Sequence, residues 1–331
     1  MKPTTVYKEN KKKDGSCNAI LPFQIEPHYL RGRYVTLGTA ATSILEKHQY
    51  PDPVAHLLSE MLVLAPCLSS ALKYEGVFTL QVSGNGPIKT LMADVTSNGE
   101  LRGYASFDVE QLLSLNLQPG DQPPLQKLTG GGYIAFTVDQ GDTGERYQGI
   151  VELSSSSLVD CTHAYFQNSE QLETVISLAV EQSSGANWKG GAIMLQRVGF
   201  SGGKGVPKGI TEDEYDEGWR NAAVMLGSCK HRELLNNIAT PEKLLFQLFH
   251  ETGVRVYPTK PIVAECRCSV EKVERLLRSL DIHERDDMKV DGVITVTCEF
   301  CKTERIYDDE ALAKIDAVSY THLTLPTILL V

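Results

Sequence analysis

No stretch of the 331-residue chain comes near the roughly 18 consecutive apolar residues that a membrane-spanning helix needs, so no membrane span is expected. Positive charge is also scarce: 32 Lys and Arg stand against 42 Asp and Glu, a formal charge of −10. An acidic surface repels phosphate backbones and anionic lipid alike, so neither nucleic acid nor a membrane is an expected partner. Residues 1–18 lack the apolar run of about 7–15 residues that a secretory signal carries; Lys11, Lys12 and Lys13 mark a weakly basic tail instead. The chain is therefore expected in the reducing cytoplasm, where stable disulfides are uncommon. Paired acid–base residues and nucleophile constellations are missing too, and no enzyme is expected. Gly199-Phe200-Ser201-Gly202-Gly203 has the spacing of a nucleophile elbow, but Lys204-Gly205-Val206-Pro207 resists the helix that must follow it. Gly205 also stands where a phosphate loop needs Ser or Thr after Lys204.

What is present is an ordinary globular composition, 42% hydrophobic and 22% charged, at a length that suits two domains. Tyr34 to Tyr74 reads as helical, with Val35, Ala41, Ile44 and Leu45 at helical spacing and a stop at His48-Gln49-Tyr50-Pro51. A second helix runs through Val54, Leu57, Leu58, Met61, Leu62, Leu64 and Leu68, with a kink or break expected at Pro66. The pattern then turns to period two. Phe78 to Val82, Ile88 to Val95 and Leu101 to Phe107 alternate between the turn residues Gly84-Asn85-Gly86-Pro87 and Asn98-Gly99, the signature of hairpins. Tyr133 to Val138 and Tyr147 to Leu153 read as strands, Phe166 to Glu181 as a helix, and Gly190 to Gln196 as a strand. The expected fold class is α+β: an antiparallel sheet and helix domain, a helical linker and a small C-terminal module.

Residues 1–19 are expected to form a tail, 20–205 the α+β domain, 206–258 the linker, 259–316 the C-terminal module and 317–331 a tail foreign to the rest. In the linker, acidic Glu212 to Glu217 crowd a helix start whose stripe is Tyr215, Trp219, Ala222 and Leu226. Thr240-Pro241 opens another helix with Leu244, Leu245, Leu248 and Phe249 on its apolar face.

The sharpest chemistry lies in Cys266-Arg267-Cys268 and Cys298-Glu299-Phe300-Cys301. Two close thiol pairs separated by a folding segment supply the four ligands of a tetrahedral zinc site. One helix is expected between them, carrying Val270, Val273, Leu276, Leu277 and Leu280. From Cys266 to Cys301 the module spans 36 residues, below the roughly 40 at which a domain usually stands without metal or disulfides. Structural zinc contributes about 10–16 kcal/mol in comparable peptides. Losing the ion should therefore unfold this module. Spacing alone leaves two alternatives open: an inert structural zinc, and a redox site, since C-x-C and C-x-x-C both lie within reach of an internal disulfide. Cys17, Cys67, Cys161 and Cys229 lack ligand spacing; Cys67 is expected buried and Cys229 exposed. His163 and His283 are expected in core or surface roles.

Glu265-Cys266-Arg267-Cys268-Ser269 and Val296-Thr297-Cys298-Glu299-Phe300-Cys301 resemble the signature of the redox-regulated chaperones of the heat shock protein 33 family. Gly86-Pro87, Leu101 to Ala105, Tyr165-Phe166 with Ser169-Glu170-Gln171, Gly190-Gly191 with Gln196, and Leu248 to Glu251 with Val254-Arg255-Val256 extend the resemblance from about Ile20 to Ala313. After the last cysteine the family's aromatic pattern shrinks to Arg305-Ile306-Tyr307. The resemblance implies an ATP-independent holdase, with zinc held by Cys266, Cys268, Cys298 and Cys301 in a reduced, inactive form. It further implies that oxidation forms Cys266–Cys268 and Cys298–Cys301 disulfides, expels zinc, unfolds the module and loosens the linker. Clients would then meet Tyr215, Trp219, Leu226, Leu244, Leu245, Leu248 and Phe249, and the oxidised form would be a homodimer.

Overall fold

The computed structural model describes residues 18–26, 30–118, 120–141, 144–183, 187–197, 209–235 and 239–318. Cys17, the Gly199 to Gly203 motif and the segment from Ser319 lie outside them. The chain divides into two compact units, Met1–Ala264 and Glu265–Val331.

The first unit is built on two sheets. One has the order β10-β1-β2-β9-β8, formed by Val254–Val256, Ala19–Ile25, Leu30–Leu37, Trp188–Gln196 and Thr174–Gln182, with β11 (Lys260–Pro261) also pairing with β1. The other runs β12-β5-β4-β3-β6-β7: Val263–Ala264, Glu100–Phe107, Ile88–Thr96, Val77–Gly84, Gly132–Asp139 and Arg146–Glu152. The meander β3-β4-β5 forms where the alternation and the Asn-Gly turns place it, and Gly99 adopts the positive φ of +91° that its turn requires.

Between the sheets lie α1 (Thr39–Leu45) and α2 (Asp52–Ser69). Helix α2 packs on strands of both sheets, and its burial covers all faces, from Val54 through Leu58, Met61 and Leu62 to Leu68. An apolar surface all round is what an enclosed helix needs. Pro66 does not break it. The helix continues to Ser69, and the Ser69 and Ser70 hydroxyls donate to the carbonyls of Pro66 and Cys67 at 3.1 and 2.9 Å. Enclosure by two sheets outweighs the roughly 3 kcal/mol a helix-interior proline costs.

Two other expectations are corrected. Tyr34 to Leu37 belong to β2, not to a helix, because β1 and β9 pair with it on both edges and its side chains alternate between two cores. Val35 and Leu37 face α2, whereas Tyr34 faces the opposite side. Phe166 to Glu181 is likewise not a helix. Helix α5 (Leu158–Tyr165) precedes it, a π turn occupies Phe166–Glu170, and Gln171 at φ +53° releases the chain into β8. Val175, Ile176 and Val180 suit the edge of the sheet better than a helix. Short helices α3 (Val109–Ser114) and α4 (Leu125–Thr129) complete the connections.

The outer face of the β1-containing sheet is covered by α6 (Glu212–Gly227), α7 (His231–Leu234) and α8 (Pro241–Phe249). Thr240 caps α8, as the sequence indicates, and Thr211 caps α6 reciprocally with Glu214. Tyr215, Trp219, Leu226, Leu244, Leu245 and Phe249 are buried there against Leu21, Phe23, Ile25, Tyr34, Ile193 and Leu195, and Leu248 packs at the margin. The glycine pair of β9 explains how both faces close. A Cβ on Gly190 would lie 2.3 Å from Val63 of α2, and one on Gly191 would lie 2.2 Å from the Leu234 carbonyl of α7. Tyr34 donates to that same carbonyl at 2.9 Å.

The second unit holds α9 (Val270–Ser279), α10 (Ile282–Asp287), the hairpin β13 (Ile294–Thr297) and β14 (Glu304–Tyr307), and α11 (Asp309–Val318). Two helices, not one, separate the cysteine pairs. Their core is Leu277, Ile294, Tyr307, Leu312 and Ile315, with Val273 and Leu280 beside it. Val270 and Leu276 of the expected stripe are exposed.

Candidate metal centre

Cys266 and Cys268 lie in the irregular chain just before α9, whose N-cap, Ser269, accepts from the backbone N–H of Lys272 at 3.2 Å. Cys298 and Cys301 lie in the turn of the β13–β14 hairpin. The backbone N–H of Cys298 donates to the Thr303 carbonyl at 3.0 Å, and that of Lys302 donates to the Cys298 carbonyl at 2.8 Å. Lys302 takes φ +54°, which folds the turn tightly enough to bring both sulfurs to one side.

These two segments, 29 residues apart in the chain, meet. All four sulfurs lie within 4.8 Å of one another. Cys266 Sγ stands 3.7 Å from Cys298 Sγ, and Cys268 Sγ stands 3.5 Å from Cys301 Sγ. A tetrahedron with zinc–sulfur bonds of about 2.3 Å has edges of about 3.8 Å. The separations are far longer than the roughly 2.05 Å of a disulfide, and the four are free thiols. The donor set and its spacing fit zinc.

The electrostatics of the cluster fit a cation as well. Burial, with the neighbouring sulfurs, pushes the Cys266 thiol up to about 12, and burial also raises Cys298. For Cys301 burial acts upward, but Thr303 and the Cys268 and Cys298 sulfurs outweigh it and bring the thiol down to about 6. Cys301 Sγ lies 3.2 Å from Thr303 Oγ1. Arg305 Nη2 reaches Cys268 Sγ at 3.6 Å, and this contact raises the guanidinium further above its usual range. Zinc would bind these sulfurs as thiolates, releasing the protons that burial holds on Cys266 and Cys298. The spacing argument found the four cysteines but not Thr303 or Arg305 as their partners. Residues two and four positions beyond Cys301 come into contact only through the hairpin.

The remaining described cysteines are of another kind. Cys67, Cys161 and Cys229 are buried free thiols. Burial raises all three, Cys67 to about 12 and Cys229 to about 11. Cys229 was expected to be exposed; it is only 8% accessible, because the helices that follow β9 fold over the sheet and enclose it. Protonated, covered thiols are poor targets for oxidants. His163 accepts from the backbone N–H of Ile176 at 3.0 Å, a core role, and His283 is exposed.

Among the described residues, no helix is long and apolar enough to cross a membrane. Residues 18–308 match the model of the Hsp33 protein family. The chain is 36% identical over 294 residues to the 33 kDa chaperonin of Caulobacter vibrioides, covering 88% of this chain and 94% of that one. It is 31% identical over 297 residues to the 33 kDa chaperonin of Pseudomonas fluorescens strain SBW25, covering 89% and 92%. The fold is that of the crystal structure of the 33 kDa chaperonin from Thermotoga maritima, with a TM-score of 0.74 at 22% identity over 92% of this chain and 99% of that one. A family match over most of the chain, relatives above 30% identity and a shared fold agree: the chain belongs to the Hsp33 family.

Proposed function

We propose that this chain is a cytoplasmic, redox-regulated, ATP-independent holdase chaperone whose inactive form holds one zinc ion on Cys266, Cys268, Cys298 and Cys301. The observation that carries this reading is the meeting of four sulfurs at near-tetrahedral spacing in a chain of the Hsp33 family. Bound zinc supplies four strong bonds to a unit with little apolar interior of its own.

An oxidant of the peroxide class removes two electrons per disulfide. Two thiolates lose those electrons and join, and the peroxide takes them up with protons to become water. Two such events would consume all four thiolates, leaving Cys266, Cys268, Cys298 and Cys301 with no ligands to offer a metal ion. The two shortest sulfur separations in the structure, Cys266–Cys298 at 3.7 Å and Cys268–Cys301 at 3.5 Å, run across the two segments rather than within them. Once the hairpin parts from the Cys266–Cys268 segment, the partners nearest in the chain remain close: one residue separates Cys266 from Cys268 and two separate Cys298 from Cys301. Membership of the Hsp33 family implies the neighbour pairs Cys266–Cys268 and Cys298–Cys301, and both spacings lie within reach of an internal disulfide.

The C-terminal module then unfolds, and the linker at 206–258 loosens. Its apolar faces at Tyr215, Trp219, Leu226, Leu244, Leu245, Leu248 and Phe249, covered in the closed form, become available to unfolding clients. Each such side chain is worth about 1.5–3 kcal/mol of burial, enough for non-specific capture of apolar segments. The oxidised form is proposed to dimerise.

Zinc quantitation alongside a client-aggregation assay, before and after peroxide with mild heating, tests this. One zinc per chain should be released as suppression of aggregation switches on. Retention of the ion under peroxide would favour a zinc-stabilised interaction module with no switch. Full suppression by the reduced, zinc-loaded chain would also sink the reading.

A further inference from the structure

The linker helices are held shut by more than apolar contact. Arg197, one residue beyond β9, donates through its backbone N–H to the Glu173 carbonyl at 3.0 Å and through Nη1 to the Glu173 carboxylate at 2.7 Å. Its Nη2 pairs with the Asp216 carboxylate of α6, and its guanidinium carbon lies 4.3 Å from the centroid of the Tyr215 ring. One side chain thus ties the entrance of β8 to the second turn of α6 by a forked ion pair and a cation–π contact. Arginine suits this place because its planar fork engages two carboxylates while its face stacks on a ring. Tyr215 and Trp219 lie four residues apart on the helix face buried against the sheet.

We propose that Arg197 is an electrostatic latch that holds α6 closed on the sheet and sets a threshold for linker release separate from that of the metal centre. The inference rests on the holdase reading for its meaning, but the latch itself is measurable without it. Because Arg197 remains 21% accessible and Asp216 42%, salt reaches the pair and weakens it. Linker opening is therefore salt-sensitive as well as redox-sensitive. Arg197 touches none of the four cysteines, so loosening the latch leaves zinc binding intact.

The test uses the full-length, reduced, zinc-loaded chain. Of its two tryptophans, Trp188→Phe leaves Trp219 as the sole reporter of α6 docking. In that background, Arg197→Gln and Asp216→Asn should each speed amide exchange across residues 212–227 about three- to tenfold, the range for one partly exposed ion pair with a cation–π contact. Trp219 emission should shift to the red, and zinc should stay at one per chain. The double variant should exchange no faster than Arg197→Gln alone, since both substitutions break one interaction. Arg197→Lys should fall between. Raising ionic strength from about 0.05 to 0.5 M should speed exchange in the parent and not in Arg197→Gln.

Unchanged exchange at 212–227, additive effects in the double variant, or equal loss of protection in β3 and β4 would each overturn the latch. If Arg197→Gln fails to fold, Asp216→Asn and the salt titration of the parent decide the matter. If the latch behaves as expected yet peroxide never induces holdase activity, the functional reading fails and the latch stands.

Discussion

In the unit that ends at Ala264, an 18-residue helix is enclosed by two sheets; in the unit that begins at Glu265, five side chains make up the buried apolar cluster among the described residues. The larger unit is held by burial, a diffuse and chemically inert source of stability. The smaller one has too little interior to stand on burial alone and brings four soft ligands together instead. Under the zinc reading proposed above, its stability would be concentrated in a handful of metal–sulfur bonds that a chelator can remove at a stroke. The described cysteines divide along the same line: Cys67, Cys161 and Cys229 of the larger unit are buried, whereas the four of the smaller unit are partly accessible. Under the switch proposed above, a redox signal would address the smaller unit and spare the larger one.

The contrast is sharpest under metal removal. A strong chelator in reducing buffer should abolish amide protection across residues 294–307 while leaving α2 and β3 protected, the loss corresponding to about 10–16 kcal/mol of metal-linked folding energy. Hydrogen exchange with mass spectrometry reads it, and a hairpin as protected as before would break the comparison.

Next in size is Leu62→Ala in α2, which should cost the larger unit about 2–5 kcal/mol in urea unfolding. Zinc affinity should not change; a parallel drop in affinity would mean the units share their stability. Gly191→Ala should come third. Its new Cβ would meet the Leu234 carbonyl at 2.2 Å, so α7 must shift at a cost of about 1–3 kcal/mol. The reduced protein should then expose Trp219 and bind an apolar dye without oxidation; an unchanged emission spectrum would show that the helices tolerate the intrusion. Smallest of all is Lys314→Ala, which removes a solvent-exposed pair with Glu310 at 2.7 Å on α11. The change in stability should not exceed about 0.5 kcal/mol, as measured by thermal unfolding of the zinc-loaded chain.

Much of this was legible in the order of residues. Period-two alternation broken by Asn98-Gly99 determined the meander, because a two-sided strand pattern and a turn that requires positive φ leave few other arrangements. Thr240 with Pro241, and the acidic run from Glu212, marked where α8 and α6 begin, since the backbone donors and positive end of a helix start are satisfied by nearby side chains. Which four cysteines come together was legible as well, because two close thiol pairs on either side of a folding segment can be brought to one place.

Other features depended on partners distant in the chain. Tyr34 to Leu37 became a strand only because β1 and β9 flank it, and Pro66 was accommodated only because two sheets enclose α2. Thr303 and Arg305 reached the sulfurs through the hairpin, and Arg197 reached Asp216 and Tyr215 through the docking of α6. Local pattern specifies what a segment prefers over a turn or two; which neighbour completes its surface depends on contacts between segments far apart in sequence. Those contacts exist only once the sheets have formed and the helices have closed over them.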